Sequence, residues 1–97
     1  MPDTILNQLY QTLLQKKGED PTKSYTAQLF LKGDNQILKK IGEEATELVM
    51  AGVKGQAQEI IYETADLFYH ILVLLAHKNI PFLEIEKALK GRMGISG

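Results

Sequence analysis

Ninety-seven residues at 10.9 kDa leave room for one domain, over residues 1–97. Hydrophobic residues at 44% and charged residues at 24% describe an ordinary globule, and a formal charge of −1 gives no general attraction to nucleic acid or to an anionic membrane. The chain has no cysteine, which excludes disulfides, thiolate chemistry, zinc fingers and iron–sulfur ligation.

Ile5, Leu6, Leu9, Tyr10, Leu13 and Leu14 recur at i, i+1, i+4, i+5, i+8 and i+9, the stripe of an amphipathic helix. Asp3 or Thr4 is its expected cap, Lys16 and Lys17 suit its negative end, and Gly18 is its expected left-handed stop. Glu19-Asp20-Pro21-Thr22-Lys23 reads as a loop. In residues 24–31 the alternation of Tyr25, Ala27, Leu29 and Leu31 suits a strand. The chain offers no second strand to pair with it, so a short helix is expected instead, capped by Ser24 or Thr26 and stopped at Gly33. Asp34 or Asn35 then caps a long helix ending in the Gly52-Val53-Lys54-Gly55 turn. A second long helix covers residues 56–77, until Asn79-Ile80-Pro81 breaks it. Pro81 sits in the first turn of a last short helix, which Gly91 ends. The expected fold is all-α, of four-helix-bundle type, with two long antiparallel helices plus shorter ones. Met-Pro-Asp-Thr lacks the charged-then-apolar start of a signal peptide, and the longest apolar run, residues 71–76, is far short of a membrane span. A soluble, cytoplasmic protein is expected.

At about 100° per residue, Ile37, Leu38, Ile41, Ala45, Leu48 and Val49 form the core stripe of the first long helix. Glu44 falls at its edge, with Lys40 and Glu47 just beyond and Glu43 turned toward water. The second long helix is apolar on almost every side over residues 60–76 and needs cover on most of them. One hairpin partner and two short helices supply too little, so a homodimer or larger homo-oligomer is expected. Its polar residues gather: Glu59, Glu63, Asp66, His70 and His77 fall within about 60° of one another. Antiparallel packing across the turn lays Glu44 and Glu47 opposite Glu63 and Asp66. Four converging carboxylates repel and raise each other's pKa unless cations are bound. Oxygen-only ligands suit Mg²⁺ or Mn²⁺ over zinc or copper. A di-iron bundle would need Glu-x-x-His, a spacing absent here.

Glu43-Glu44-x-x-Glu47 followed by Glu63-x-x-Asp66 resembles the signature of the all-α nucleoside triphosphate pyrophosphohydrolases, the MazG-like superfamily. Ser24-Tyr25-Thr26-Ala27, Lys40-Ile41-Gly42-Glu43-Glu44-Ala45-Thr46-Glu47 and Glu63-Thr64-Ala65-Asp66-Leu67-Phe68-Tyr69-His70 are similar to the phosphoribosyl-ATP pyrophosphohydrolase family, a likeness that covers residues 24–92. The resemblance implies Mg²⁺-dependent hydrolysis of the α–β phosphoanhydride of phosphoribosyl-ATP, giving phosphoribosyl-AMP and pyrophosphate in the second step of histidine biosynthesis. It implies that Glu44, Glu47, Glu63 and Asp66 hold the metal, with Glu43 and Glu47 the catalytic candidates. For Glu43 the roles of further ligand, outer partner and base all stay open.

Ser24, Tyr25, Thr26, Lys32, Lys40 and Arg92 are the candidate contacts to the nucleotide substrate, and His70 is a candidate support behind the metal ligands. Plainer readings stand beside these. Ser24 or Thr26 is also an ordinary cap, Lys40 an i,i+4 partner of Glu44, and His77 and Arg92 are expected to be solvated. Within ninety-seven residues the fused cyclohydrolase domain of some family members is not expected. Arg92-Met93-Gly94-Ile95-Ser96-Gly97 looks like the opening of a longer family tail. The rival readings are a house-cleaning pyrophosphohydrolase of deoxynucleotides or damaged nucleotides, and a non-catalytic helical dimerisation module. Two acids on an otherwise apolar helix argue against the module. Mg²⁺-dependent pyrophosphate release separates it from either enzyme.

Overall fold

The computed structural model describes residues 4–94. They form five α-helices: α1 (Ile5–Gln15), α2 (Tyr25–Lys32), α3 (Asp34–Lys54), α4 (Ala57–His77) and α5 (Phe82–Arg92), with no strand among the described residues. Thr4 caps α1, its hydroxyl accepting from the Asn7 backbone at 3.1 Å; the other candidate cap, Asp3, lies outside the described residues. Residues 24–31 are helical from Tyr25 on, and the Ser24 hydroxyl accepts from the Ala27 backbone at 3.1 Å.

Several helix ends differ from expectation. Gly18 is not a left-handed stop, because α1 tightens into a 3-10 turn, Lys16–Gly18. The tighter winding satisfies the last carbonyls instead, with the Lys16 N–H reaching Leu13 and Leu14. Neither Asp34 nor Asn35 caps α3. Gly33 stands there at φ 79° and ψ −157°, a region essentially reserved for glycine, and it lets α2 turn straight into α3. Asp34 becomes the first helical residue and pairs with His77 at 3.1 Å and Lys78 at 2.6 Å. His77 is therefore held rather than solvated, and it stacks on Phe30 with ring centres 6.2 Å apart. The helix α3 continues through Gly52, and Gly55 alone, at φ 73°, turns the chain. Pro81 caps α5 without entering it, and α5 passes Gly91 to end at Arg92. One interior glycine costs about 1 kcal/mol, too little to stop a helix by itself.

The helices α3 and α4 form an antiparallel hairpin, each arm of 21 residues being about 31 Å long. Against α4 pack α1 and α2; α2 also meets α3, and α5 lies on α1. Where they meet, Leu13, Leu29, Ile37 and Val73 are fully buried, joined by Tyr10, Phe30, Leu72, Leu75, Ala76 and Phe82. This core occupies one end of the hairpin, the start of α3 and the end of α4. Toward the turn, Val49, Met50, Val53, Ile61 and Tyr62 are exposed.

Leu38 and Val49, expected in the core stripe, are also exposed. The seam of α3 against α4 runs Ile37, Ile41, Glu44, Leu48, Ala51, alternating steps of four and three, and passes both by. The short apolar run at residues 71–76 understated α4. Its 21 residues, with a mean hydropathy of 1.3 over the best window, make it long and apolar enough to cross a membrane. In this fold it is the central helix, packed on α1, α2 and α3.

Candidate active site

The seam of α4 reads Glu59, Glu63, Asp66, His70, Val73, His77, again in steps of four and three. Its polar members meet partners in sequence from the turn outward. Glu59 pairs with Lys54 at 3.6 Å, then come the carboxylates, then His70 against Tyr25, and finally His77 against Asp34. Between paired positions sits the acidic cluster.

Glu44, Glu63 and Asp66 each offer a carboxylate oxygen, and these oxygens lie within 4.8 Å of one another. Glu44 is buried at 7% exposure because it takes a core position of the α3 seam. Its Oε1 lies 3.6 Å from Lys40 Nζ. Its Oε2 and the Oε2 of Glu63 are buried with no hydrogen-bond partner among the described residues. Leaving one such group unpaired costs about 1–3 kcal/mol, and more when it is charged. Two of them on facing helices form a donor set that calls for a proton or a cation. Glu63 takes the proton more readily than an ordinary carboxylate, its pKa being pushed up to about 7. The largest cause is the hydrogen bond it shares with the Glu47 carboxyl, followed by burial and by the negative charge of Glu47, Glu44 and Asp66. An all-oxygen, partly desolvated donor set fits a hard divalent cation.

Of the four acids expected together, the triad gathers three, and Glu47 reaches it through Glu63. Glu43 is exposed and sits 3.6 Å from Lys40, which thus bridges Glu43 and Glu44. Pockets of about 170 Å³ and about 680 Å³ open on either side of Glu47. The first is lined by Met50, Lys54, Glu59 and Glu63, the second by Leu38, Lys39, Gly42, Glu43 and Thr46.

The Ser24-Tyr25-Thr26 motif divides its labour. Ser24 caps α2. Thr26 is buried, and its hydroxyl is bonded to that of Tyr69. Tyr25 alone is about half exposed, at 48%. Its hydroxyl lies 3.1 Å from His70 Nε2, and its pKa is raised by burial first; Lys40 acts against this, while Tyr69, Glu44 and Glu43 add to it. His70 is buried, and its Nδ1 lies 2.8 Å from the backbone carbonyl of Asp66. It supports Asp66 through the main chain, not through the carboxylate. Lys32 and Arg92 are exposed near the ends of α2 and α5 and form no ion pair with the cluster among the described residues. Tyr69 escaped the sequence reading, which counted it as apolar cover. Its hydroxyl was the available signal, since a tyrosine on a covered helix seeks a polar partner.

A family described as Phosphoribosyl-ATP pyrophosphohydrolase matches residues 6–93 of the chain. A phosphoribosyl-ATP pyrophosphatase of Trichlorobacter lovleyi is 56% identical over 93 residues, covering 96% of this chain and 86% of that protein. That of Geotalea daltonii is 53% identical over 97 residues, covering 100% and 92%. That of Geobacter sulfurreducens is 52% identical over 95 residues, covering 98% and 88%.

Proposed function

The chain belongs to the phosphoribosyl-ATP pyrophosphohydrolase family, and from that premise we propose that it hydrolyses the α–β phosphoanhydride of phosphoribosyl-ATP. The products are phosphoribosyl-AMP and pyrophosphate, a step of histidine biosynthesis. The observation that carries the reading is the convergence of Glu44, Glu63 and Asp66, running from buried Glu44 to exposed Asp66, with two buried oxygens of Glu44 and Glu63 unpartnered.

These three residues, with Glu47 beside Glu63, would hold Mg²⁺, with Mn²⁺ as the alternative. The cation supplies charge neutralisation to the phosphate oxygens, the main requirement of phosphoryl transfer. The residues around it do the rest. Water adds to phosphorus, the bridging P–O bond breaks, and pyrophosphate leaves with the bonding pair. The proton lost by water passes to a carboxylate outside the triad. Glu47 stands nearest to that role through its contact with Glu63, and Glu43, held by Lys40, is the other candidate. Lys40 can release one acid to meet a phosphate, and Tyr25 stands at the open edge of the cluster. Ser24 and Thr26 serve through the fold of α2, while Lys32 and Arg92 remain candidates for the second phosphate group of the substrate.

The active species is a homodimer. Val49, Met50, Val53, Ile61 and Tyr62 leave the turn end of the hairpin apolar and uncovered, and a radius of gyration of 14.8 Å exceeds the about 12.5 Å of a compact domain of this length. A second copy is the cover that α4 lacks. Sedimentation at micromolar concentration is expected to give a dimer, and a stable folded monomer would overturn this.

The test of the reaction is product analysis with phosphoribosyl-ATP, ATP and a panel of deoxynucleotides. Intact pyrophosphate, dependent on Mg²⁺ and favouring phosphoribosyl-ATP, is expected. Orthophosphate as first product rejects the reaction type. Preference for a deoxynucleotide rejects the substrate and leaves a house-cleaning enzyme.

A further inference from the structure

The Tyr25–His70–Asp66 chain carries a direction. A backbone carbonyl only accepts, so the Asp66 oxygen at 2.8 Å obliges His70 Nδ1 to carry the proton. In the neutral imidazole the other nitrogen is then bare and accepts. Its neighbour at 3.1 Å is the Tyr25 hydroxyl, which must donate. The hydroxyl proton is thereby committed inward, toward α4, and the oxygen lone pairs of Tyr25 are left for whatever approaches from outside. The ring is fixed as well. Tyr25 lies stacked on Tyr69 at 6.4 Å and edge-on to His70 at 6.1 Å, yet its side chain remains about half exposed. Lys40, which pairs with Glu43 and Glu44, faces the same hydroxyl.

We propose that His70 is a positioning residue that fixes Tyr25 as a hydrogen-bond acceptor at the mouth of the carboxylate cluster. Tyr25 therefore receives a donor of the substrate, a sugar hydroxyl or a base N–H, and does not bind a phosphate. A phosphate oxygen has no proton to give at neutral pH, and it would meet the lone pairs of Tyr25 beside two carboxylates. Phosphates belong on the Lys40 side of the cluster, and the nucleoside portion belongs over α2. This specificity rests on the activity proposed above, whereas the orientation of the His70 proton does not.

Nitrogen NMR of the labelled protein at neutral pH reads that orientation directly. A protonated Nδ1 and a bare Nε2 are expected for His70, with Tyr25→Phe changing the Nε2 resonance and sparing Nδ1. A protonated Nε2 would overturn the proposal, whatever the enzyme turns over. In kinetics, Tyr25→Phe is expected to raise KM for phosphoribosyl-ATP about three- to tenfold, the range of one lost hydrogen bond, with a smaller change in kcat. His70→Asn, which keeps a donor for the Asp66 carbonyl and loses the acceptor for Tyr25, is expected to follow it. His70→Gln restores an acceptor for Tyr25 and recovers part of the loss. Analogues lacking either a ribose hydroxyl or the base N–H then locate the donor. For one of them the parent and Tyr25→Phe become equal. An equal penalty on every analogue, or a loss confined to kcat, overturns the acceptor role.

Discussion

The two ends of the α3/α4 hairpin are built alike and used differently. Both follow the same alternation of four- and three-residue steps. At the open end of the hairpin the steps fall on Ile37, Ile41 and Val73, and α1, α2 and α5 close over them. Nearer the turn the same steps fall on Glu44, Glu63 and Asp66, and the flanking apolar residues Val49, Val53, Ile61 and Tyr62 stand uncovered. A covered apolar seam lowers the free energy of the folded chain. A carboxylate seam raises it, through repulsion and two unpaired buried oxygens. One end holds the fold together, and the other carries strain that a ligand can relieve.

The largest contrast is expected from removing charge at the acidic end. Glu63→Gln or Asp66→Asn should lower kcat/KM by about a thousandfold or more, the loss of several kcal/mol of transition-state stabilisation. The apo variants should melt at or above the temperature of the parent, because a repulsive charge is gone. Calorimetry and pyrophosphate release on the same preparations check both halves. Lower melting temperatures would make these acids structural and erase the contrast.

Removing bulk at the other end should do the reverse. Leu13→Ala is expected to cost about 2–5 kcal/mol in urea denaturation, a large part of the about 5–15 kcal/mol that holds a typical domain. Whatever folded fraction remains should keep its kcat. Magnesium should separate the ends again, because the proposed site exists in the native state alone. At about a hundred times its Kd it should stabilise the parent by about 2.7 kcal/mol, and Glu63→Gln should lose most of that gain.

A subtler test uses protons. The raised pKa of Glu63, about 7, means that the native state holds a proton the unfolded chain has released above its ordinary carboxylate value, about 4.3. Stability of the apo protein should therefore fall as pH rises from about 4.3 to 7 and level off above it. Melting curves at pH 5 and pH 8 should show a decline in the parent that Glu63→Gln removes. Smallest is the surface clasp at the covered end. Asp34→Asn breaks the contacts to His77 and Lys78, and because Asp34 is solvent-exposed its effect in urea denaturation should be the smallest of these.

The helices were legible because their periodicity is a local property. Ile37, Ile41 and Leu48 mark a stripe in any register-free reading, and the excluded strand left residues 24–31 one choice. The acidic face of α4 was legible for the same reason, since Glu63, Asp66 and His70 share a face whatever the rest of the chain does. What the sequence hid is what depends on neighbours. Glu44 is buried because α4 covers it, whereas Glu47 stays exposed, and no wheel separates those two by more than an angle. Thr26 is a candidate site residue by motif, and its contact with Tyr69, across 43 positions, was not legible in the sequence. His77 looked solvated until Asp34 arrived from the start of α3.

Tyr10 in α1 and Lys17 in the 3-10 turn that follows it give the N-terminal segment a particular place in the chain's assembly. The Tyr10 hydroxyl donates to the Ile80 carbonyl at 2.6 Å, 70 positions away. Lys17 reaches the Ala76 carbonyl at 2.8 Å and Asn79 at 3.0 Å. Contacts that distant along the chain carry a loop-closure cost that the adjacent arms of the hairpin do not. The hairpin is therefore expected to zip from Gly55 with both halves of the acidic seam in register, and α1 to dock afterwards as a latch across the C-terminal end of α4. Local opening of that latch would bare Tyr10 and Leu13 while leaving Glu44, Glu63 and Asp66 facing one another.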